Sequence, residues 1–126
     1  MLTKREIFEK VKAHLLTQNK KAAEITYSSP IDDTGTRRTY EACFYLTPDG
    51  LRCAVGCLLT EVYKPEMEKM SIDILFADFP GEMEAAGLSK KGHLTLLSRL
   101  QIIHDKFPVE YWEEQLNIVE REFKLA

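Results

Sequence analysis

Apolar residues recur at helical spacing at both ends of the chain. Near the start these positions are Ile7, Phe8, Val11, Leu15 and Leu16. They share one face of a helix, so we predict an amphipathic helix over residues 4–17. Thr3 and Glu6 have capping-box spacing, which predicts where this helix begins. Near the end a second set of apolar residues recurs in steps of three and four: Val109, Trp112, Leu116, Val119 and Phe123. This spacing predicts a last helix with Pro108 near its first turn.

The segment before this last helix is apolar on more than one side. Its apolar positions are Leu94, Leu96, Leu97, Leu100, Ile102 and Ile103. A helix that is apolar all round is buried, so we predict the central helix here, beginning at Ser89 or Gly92. Two shorter helices are predicted upstream of it. One follows Ser71 and ends at Pro80, and the other is a short turn closed by Gly87.

A β-hairpin is predicted in the middle of the chain. Residues 42–46 are aromatic and apolar, residues 47–50 (Thr-Pro-Asp-Gly) have turn composition, and residues 51–53 return. A two-stranded hairpin is only marginally stable alone, so it must pack against helices. The small residues that follow, Gly56 among them, would let two backbones approach closely. The predicted fold is therefore α+β and mainly helical, with four to five helices packed around one short β-hairpin.

A long polar segment, residues 20–40, separates the first helix from this hairpin. A connection of this length is either an ordered functional loop or a mobile one. Asp32 and Asp33 could bind a metal or act as acid and base, although adjacent aspartates before a glycine are typical of turns. The candidate binding residues in this loop are Tyr27, Asp32, Asp33, Arg37 and Arg38.

Length and charge narrow the class of protein. A chain of 126 residues can bury a core of its own, and we assign residues 1–126 to one domain. The net charge of −3 argues against nucleic acid as a partner, because neutralising phosphates needs an excess of Lys and Arg. Residues 61–86 carry seven acidic side chains and two lysines, which form either a solvated face or a surface for a basic partner. The candidate binding residues in and beside this acidic stretch are Tyr45, Tyr63, Glu66 and Glu68.

The ends of the chain and its cysteines suggest a compartment. A charged start leads directly into the first predicted helix, so we expect no signal peptide. No apolar run approaches the roughly 20 residues of a membrane span. Three cysteines without a secretion signal indicate free thiols in a reducing compartment. We expect a cytoplasmic protein that does not contact membranes, and a homo-oligomer is one open alternative.

Cys53 is the candidate nucleophile, because it lies where the predicted hairpin ends and a helix would begin. His104 could act as its base, and Asp105 could orient that base. The alternative is a buried thiol in a close-packed turn, with a histidine that closes a helix. This structural alternative is favoured, so the sequence leans away from an enzyme.

A structural zinc site is a further alternative. Its ligands would be Cys43, Cys53, Cys57 and either His93 or His104. Nine residues separate Cys43 from Cys53, whereas common zinc knuckles have a gap of about two to four. A domain of this length also folds without a metal. We therefore predict no metal and no cofactor.

Two segments resemble a group of small bacteriophage and prophage proteins without an assigned activity. The first contains Cys43 and Tyr45 and continues as Gly50-Leu-Arg-Cys-Ala-Val-Gly-Cys-Leu58, and the second is Leu100-Gln-Ile-Ile-His-Asp105. Tyr63, Met67-Glu68 and Trp112 extend the likeness. The chain departs from the pattern at residues 58–61, where Leu-Ile-Pro-Asp is more frequent, and at Lys69, where glycine is frequent.

The resemblance implies a phage or prophage accessory protein. We expect it to act by binding a host protein or a small signalling molecule, in host takeover or against host defence. The alternatives are a cysteine-dependent hydrolase or transferase that uses Cys53, His104 and Asp105, and a small zinc-stabilised interaction domain. Family context alone does not establish a function.

Overall fold

The computed structural model of the protein describes residues 1–27 and 39–125, and within them the architecture is helical. The α-helices are α1 (Lys4–Gln18), α2 (Ile72–Asp78), α3 (Pro80–Ala85), α4 (Lys90–Lys106) and α5 (Trp112–Glu122). Two short strands, β1 (Ala23–Tyr27) and β2 (Thr39–Cys43), pair antiparallel. Single 3₁₀ turns lie at Gly56–Leu58, Pro65–Met67 and Val109–Tyr111.

The first helix forms as the sequence predicts. The Thr3 hydroxyl accepts from the Glu6 amide at 3.1 Å, and the Thr3 amide donates to the Glu6 carboxylate at 2.9 Å. The capping box therefore satisfies amides that have no partner within the helix. The helix ends at Asn19, whose φ of 51° is left-handed. The side chains that α1 buries are Ile7, Phe8, Val11 and Leu15.

Helices α1, α4 and α5 pack on one another and form the core. The Ser89 hydroxyl caps α4 by accepting from the Gly92 amide at 3.2 Å. The side chains that α4 buries are His93, Leu96, Leu97, Leu100, Ile103 and His104. Trp112 at the start of α5 is fully buried, and its indole N–H donates to the Phe107 carbonyl at 3.0 Å. The prediction that the fourth helix is the central one is confirmed.

The predicted hairpin of residues 42–46 with residues 51–53 is wrong. These segments share a single isolated bridge, between Leu46 and Arg52. The Glu68 carboxylate accepts hydrogen bonds from the backbone amides of Tyr45 and Leu46, with N–O distances of 2.9 and 3.0 Å. Those amides are therefore not available to a second strand. A side chain that is 22 or more residues away in sequence has replaced the strand partner.

The predicted α+β class, with helices packed around a hairpin, is also wrong. Helices build the centre of the molecule, and the one strand pair of the described residues does not involve residues 46–53, because β1 lies inside the segment predicted as a polar loop. The ends of the predicted loop 20–40 are therefore paired strands. Its remaining residues, 28–38, lie outside the described part of the chain, and they include four predicted binding residues: Asp32, Asp33, Arg37 and Arg38.

The segment from Cys53 to Leu59 is a tight turn against the core, as its small residues predict. Cys53, Ala54, Val55 and Leu59 are buried. A Cβ atom added to Gly56 would lie 2.0 Å from the carbonyl oxygen of Tyr45, closer than two such atoms can approach. Glycine at this position therefore lets the turn contact the backbone of residue 45.

No helix within residues 1–27 and 39–125 has both the length and the apolar character needed to cross a bilayer.

Candidate functional site

His104 and Asp105 form a hydrogen-bonded pair at the end of α4. The His104 side chain is fully buried, and its Nε2 accepts from the Ala22 amide at 2.8 Å. Its Nδ1 lies 2.7 Å from Oδ1 of Asp105. Since an amide hydrogen points at Nε2, these partners assign the ring proton to Nδ1, which donates to the carboxylate. Both ring nitrogens are thus occupied inside the protein.

Three donors surround the carboxylate of Asp105. Besides His104, the Gln101 amide donates to Oδ1 at 2.9 Å, and the Cys43 thiol hydrogen-bonds to the same carboxyl group. Burial alone would raise the pKa of Asp105, but these hydrogen bonds outweigh it and hold the pKa below its usual range. The side chain remains 29% exposed. Asp105 is therefore an ionised carboxylate that solvent or a ligand can reach.

The thiol beside this pair is that of Cys43, where the sequence had suggested Cys53. Cys43 ends β2 and is half-buried, and its sulfur lies within 4.8 Å of ligand atoms of both His104 and Asp105. The Asp105 carboxylate accepts hydrogen bonds from both the Cys43 thiol and the His104 imidazole. In a nucleophilic triad the imidazole instead contacts the nucleophile, and the carboxylate lies behind it. Ionising Cys43 would place two anions side by side, so the arrangement opposes a thiolate.

Cys53 is buried, with 1% of its surface exposed. Its sulfur accepts from the Gly56 amide at 3.3 Å, and burial raises the pKa of its thiol to about 12. The Cys57 thiol donates to the Ala54 carbonyl, and burial raises its pKa to about 12 as well. Neither thiol supplies a thiolate near neutral pH, which argues against the predicted role of Cys53 as a nucleophile.

The alternative zinc set of three cysteines and a histidine is not assembled in the described residues. There, the one group of three or more side chains within metal-binding distance is Cys43, His104 and Asp105. The Ala22 amide keeps Nε2 as an acceptor, so a metal at Nδ1 would have to displace the ring proton and leave an imidazolate. His93, the other candidate ligand, accepts from the Ser89 amide at 3.0 Å. The residues present do not fit a zinc site.

A cleft of about 340 Å³ opens next to the carboxylate. It lies between β2, the start of α2 and the second half of α4. Its apolar lining consists of Phe44, Tyr45, Met70, Ile72 and Ile102 together with the thiols of Cys43 and Cys53. Its polar lining consists of Lys69, Ser71, Asp73, Ser98, Gln101, Asp105 and Lys106. A cavity that combines apolar walls with polar groups is the usual form of a small-molecule site.

The predicted binding residues Tyr63 and Glu68 belong to a half-buried cluster. The Tyr63 hydroxyl donates to the Glu68 carboxylate at 2.7 Å, and this carboxylate also accepts from the amides of residues 45 and 46. Burial, followed by the bond to Glu68, raises the pKa of Tyr63 to about 12. These bonds give both residues a structural role, and their predicted binding role stays a prediction.

The other predicted binding residues are placed differently. Tyr45 is buried, its hydroxyl donates to the Met70 carbonyl, and its ring lines the cleft. Burial raises its pKa. Glu66 is exposed, away from the cleft lining. The backbone of Tyr27 ends β1, but its side chain lies outside the described part of the structure.

Several cleft residues were missed by the sequence interpretation: Lys69, Ser98, Gln101 and Lys106. A signal for two of them was present, because Ser98, Gln101 and Asp105 recur at steps of three and four on one predicted helix. Polar residues at that spacing share one face of α4. The sequence around Lys69 gave no indication of a binding role, because only tertiary packing brings this residue to the lining of the cleft.

Comparison of the chain with protein-family models, with curated proteins and with solved structures gives no match. The resemblance to phage proteins therefore stays a prediction from the residues that carry it.

Proposed function

We propose that this protein acts by binding a small molecule in the cleft beside Asp105. The observation that carries the proposal is a cleft of about 340 Å³ with an ionised, partly exposed carboxylate at one side. Small-molecule sites commonly have volumes of about 300–1,000 Å³, and a few placed polar groups orient the ligand. The volume and lining of this cleft match that description.

Binding is favoured over thiol catalysis by the chemistry of the three cysteines. Cys53 and Cys57 are held as neutral thiols by burial, and Cys43 lies against an anion. The one histidine next to Cys43 has its acceptor nitrogen occupied by the Ala22 amide. A cysteine hydrolase needs a base that takes the thiol proton, and no group in this cluster is arranged to do so.

The phage accessory role is part of the proposal. It is supported by the residues that resemble phage and prophage proteins, and a signalling molecule bound in the cleft is one form that role would take. A host protein as partner would need a contact surface elsewhere on the molecule. The described residues favour the small molecule, because this cleft combines a ligand-sized volume with a hydrogen-bonded carboxylate.

A fragment screen by protein-observed NMR tests the proposal. We expect at least one class of fragment to shift the backbone amide signals of Cys43, Gln101 and Asp105. Ser98 lines the cleft, so Ser98→Phe should fill it and abolish these shifts. Thr95 is exposed on the same helix and does not line the cleft, so Thr95→Phe is the matched control and should leave them intact.

The proposal fails if no fragment perturbs these signals in the folded protein. It also fails if Ser98→Phe and Thr95→Phe affect binding equally, because the fragments would then bind outside the cleft. Turnover of a substrate that depends on Cys43 would favour the enzymatic alternative.

A further inference from the structure

The carboxylate of Asp105 has one oxygen with remaining capacity. His104 and Gln101 both bond to Oδ1, at 2.7 and 2.9 Å. Within the described residues, Oδ2 has at most the Cys43 thiol as a donor, and a thiol is a weak one. A carboxylate oxygen accepts two hydrogen bonds, so Oδ2 can accept one from a ligand. A ligand of this cleft should therefore carry a hydrogen-bond donor, either N–H or O–H.

The lining of the cleft includes apolar and aromatic side chains. Phe44 and Tyr45 follow β2, and Ile102 lies on α4 and is 42% exposed. An exposed isoleucine at the edge of a cleft offers apolar area that a ligand can cover. Aromatic and branched side chains in such a setting favour a flat ring.

Two ammonium groups line the cleft. Lys69 and Lys106 are exposed, and neither forms a salt bridge with another residue in 1–27 and 39–125. Asp73 also lines the cleft and remains an anion, although it accepts from the Ser71 hydroxyl at 2.7 Å. A negatively charged group on the ligand would therefore have to bind nearer to the lysines than to Asp73.

We infer that the ligand is a small organic anion with an amino-substituted flat ring, the chemistry of an adenine nucleotide. The exocyclic amine would donate to Oδ2 of Asp105, the ring would lie against Phe44, Tyr45 and Ile102, and the anionic group would meet Lys69 and Lys106. This inference rests on the proposed function, because it names the ligand class of the same cleft.

Isothermal titration calorimetry with adenosine 5′-monophosphate tests the inference on the wild-type protein. Purine riboside 5′-monophosphate has a hydrogen atom in place of the amine and should bind at least about tenfold more weakly, because Oδ2 would then lose its donor. Adenosine lacks the phosphate and should also lose about tenfold. Equal binding of the adenine and purine riboside nucleotides would overturn the inference.

Variants locate the two polar contacts. Asp105→Asn should weaken the adenine nucleotide by about tenfold or more. The double substitution Lys69→Gln with Lys106→Gln should weaken it and flatten its salt dependence. Lys124→Gln, on an exposed residue away from the cleft, is the charge-matched control and should change neither. If Asp105→Asn does not fold, the affinity of the double lysine variant and the comparison of the two nucleotides on the wild-type protein still test the inference.

The result also separates this inference from the proposed function. If fragments of another chemistry occupy the cleft and are displaced by Ser98→Phe, while no adenine nucleotide binds, the ligand class is wrong and the binding function stands. If nothing occupies the cleft, both fail.

Discussion

His104 shows at the scale of one residue how a candidate catalytic group can be structural. Its ring joins the residue before β1 to the end of α4, through the Ala22 amide and the Asp105 carboxylate. It also lies beside Trp112, with 5.5 Å between the ring centroids. A general base needs a nitrogen that can take a proton from substrate or nucleophile, and neither nitrogen of His104 is open to one.

We predict that His104→Ala destabilises the protein by about 3 kcal/mol, because it leaves a cavity and two polar partners without their hydrogen bonds. His14 is half-buried and makes one bond, at 3.0 Å to the Arg52 carbonyl, so His14→Ala should cost about 1 kcal/mol. Urea denaturation followed by circular dichroism measures both. Equal losses would contradict the structural role of His104.

The thiols give a second test at this scale. Cys53 should react with iodoacetamide only in denaturant, because it is buried and its pKa is raised to about 12. Cys43 is half-buried at the cleft and should be labelled slowly in the native protein, at a rate that the Ser98→Phe variant reduces. Peptide mass mapping after timed labelling measures these rates. Rapid native labelling of Cys53 would restore it as a candidate nucleophile.

At the scale of elements, helices were predictable and the strand pairing was not. The bounds of α1 and the start of α4 follow from apolar spacing and from side-chain caps, which are local in sequence. The last helix follows from apolar spacing alone, and it begins at Trp112, after the 3₁₀ turn Val109–Tyr111, and not at Pro108. The hairpin prediction relied on local turn composition at Thr47–Gly50. That turn does form, since the Gly50 amide donates to the Thr47 carbonyl, but the Glu68 carboxylate captures the amides that a hairpin would use.

Lys69 illustrates the same dependence on context. It has a φ of 66°, in the left-handed region that glycine adopts without strain. The sequence has lysine at this position, and the turn places its ammonium group at the cleft.

The turn at Gly56 supports a prediction for one element. Gly56→Ala should destabilise the protein by about 3 kcal/mol or prevent folding, since its methyl group would overlap the Tyr45 carbonyl. Gly81 lies in α3 with nothing within 4 Å of an added Cβ, so Gly81→Ala should be neutral or stabilising by up to about 1 kcal/mol. Thermal unfolding of the two variants measures the difference. A tolerated alanine at position 56 would mean that the turn does not contact residue 45.

For the whole molecule, a few polar side chains join segments that are far apart in sequence. Glu68 holds residues 45, 46 and 63, and the Gln101 side chain accepts from the Val55 amide at 3.0 Å while it donates to Asp105. Each of these groups is partly buried and hydrogen-bonded, as buried polar groups in folded proteins generally are. The cleft exists because these contacts bring β2, the turn after Glu68 and α4 together.

Stability should fall in acid partly through Asp105. The folded pKa of Asp105 is below its unfolded value of about 3.9, so its stabilising contribution is complete above that pH and is lost as the pH drops through the folded pKa. Asp105→Asn should therefore reduce the loss of unfolding free energy between about pH 5 and 3. Glu122→Gln removes an exposed ion pair with Arg99 and should change this loss much less. Urea denaturation across that pH range measures the slopes, and identical slopes for wild type and Asp105→Asn would contradict the prediction.

By itself the sequence determined the helices and most of their buried faces, because hydrophobic periodicity and capping act between residues that are neighbours along the chain. Leu16 and Ile102, which belong to the predicted apolar stripes, are exposed. It also marked His104 and Asp105 as a pair, since they are adjacent. Only the tertiary structure decided that Cys43, and not Cys53, joins this pair, and that the neighbouring space is a cleft. Those outcomes depend on hydrogen bonds between residues that are tens of positions apart, which leave no local pattern to read.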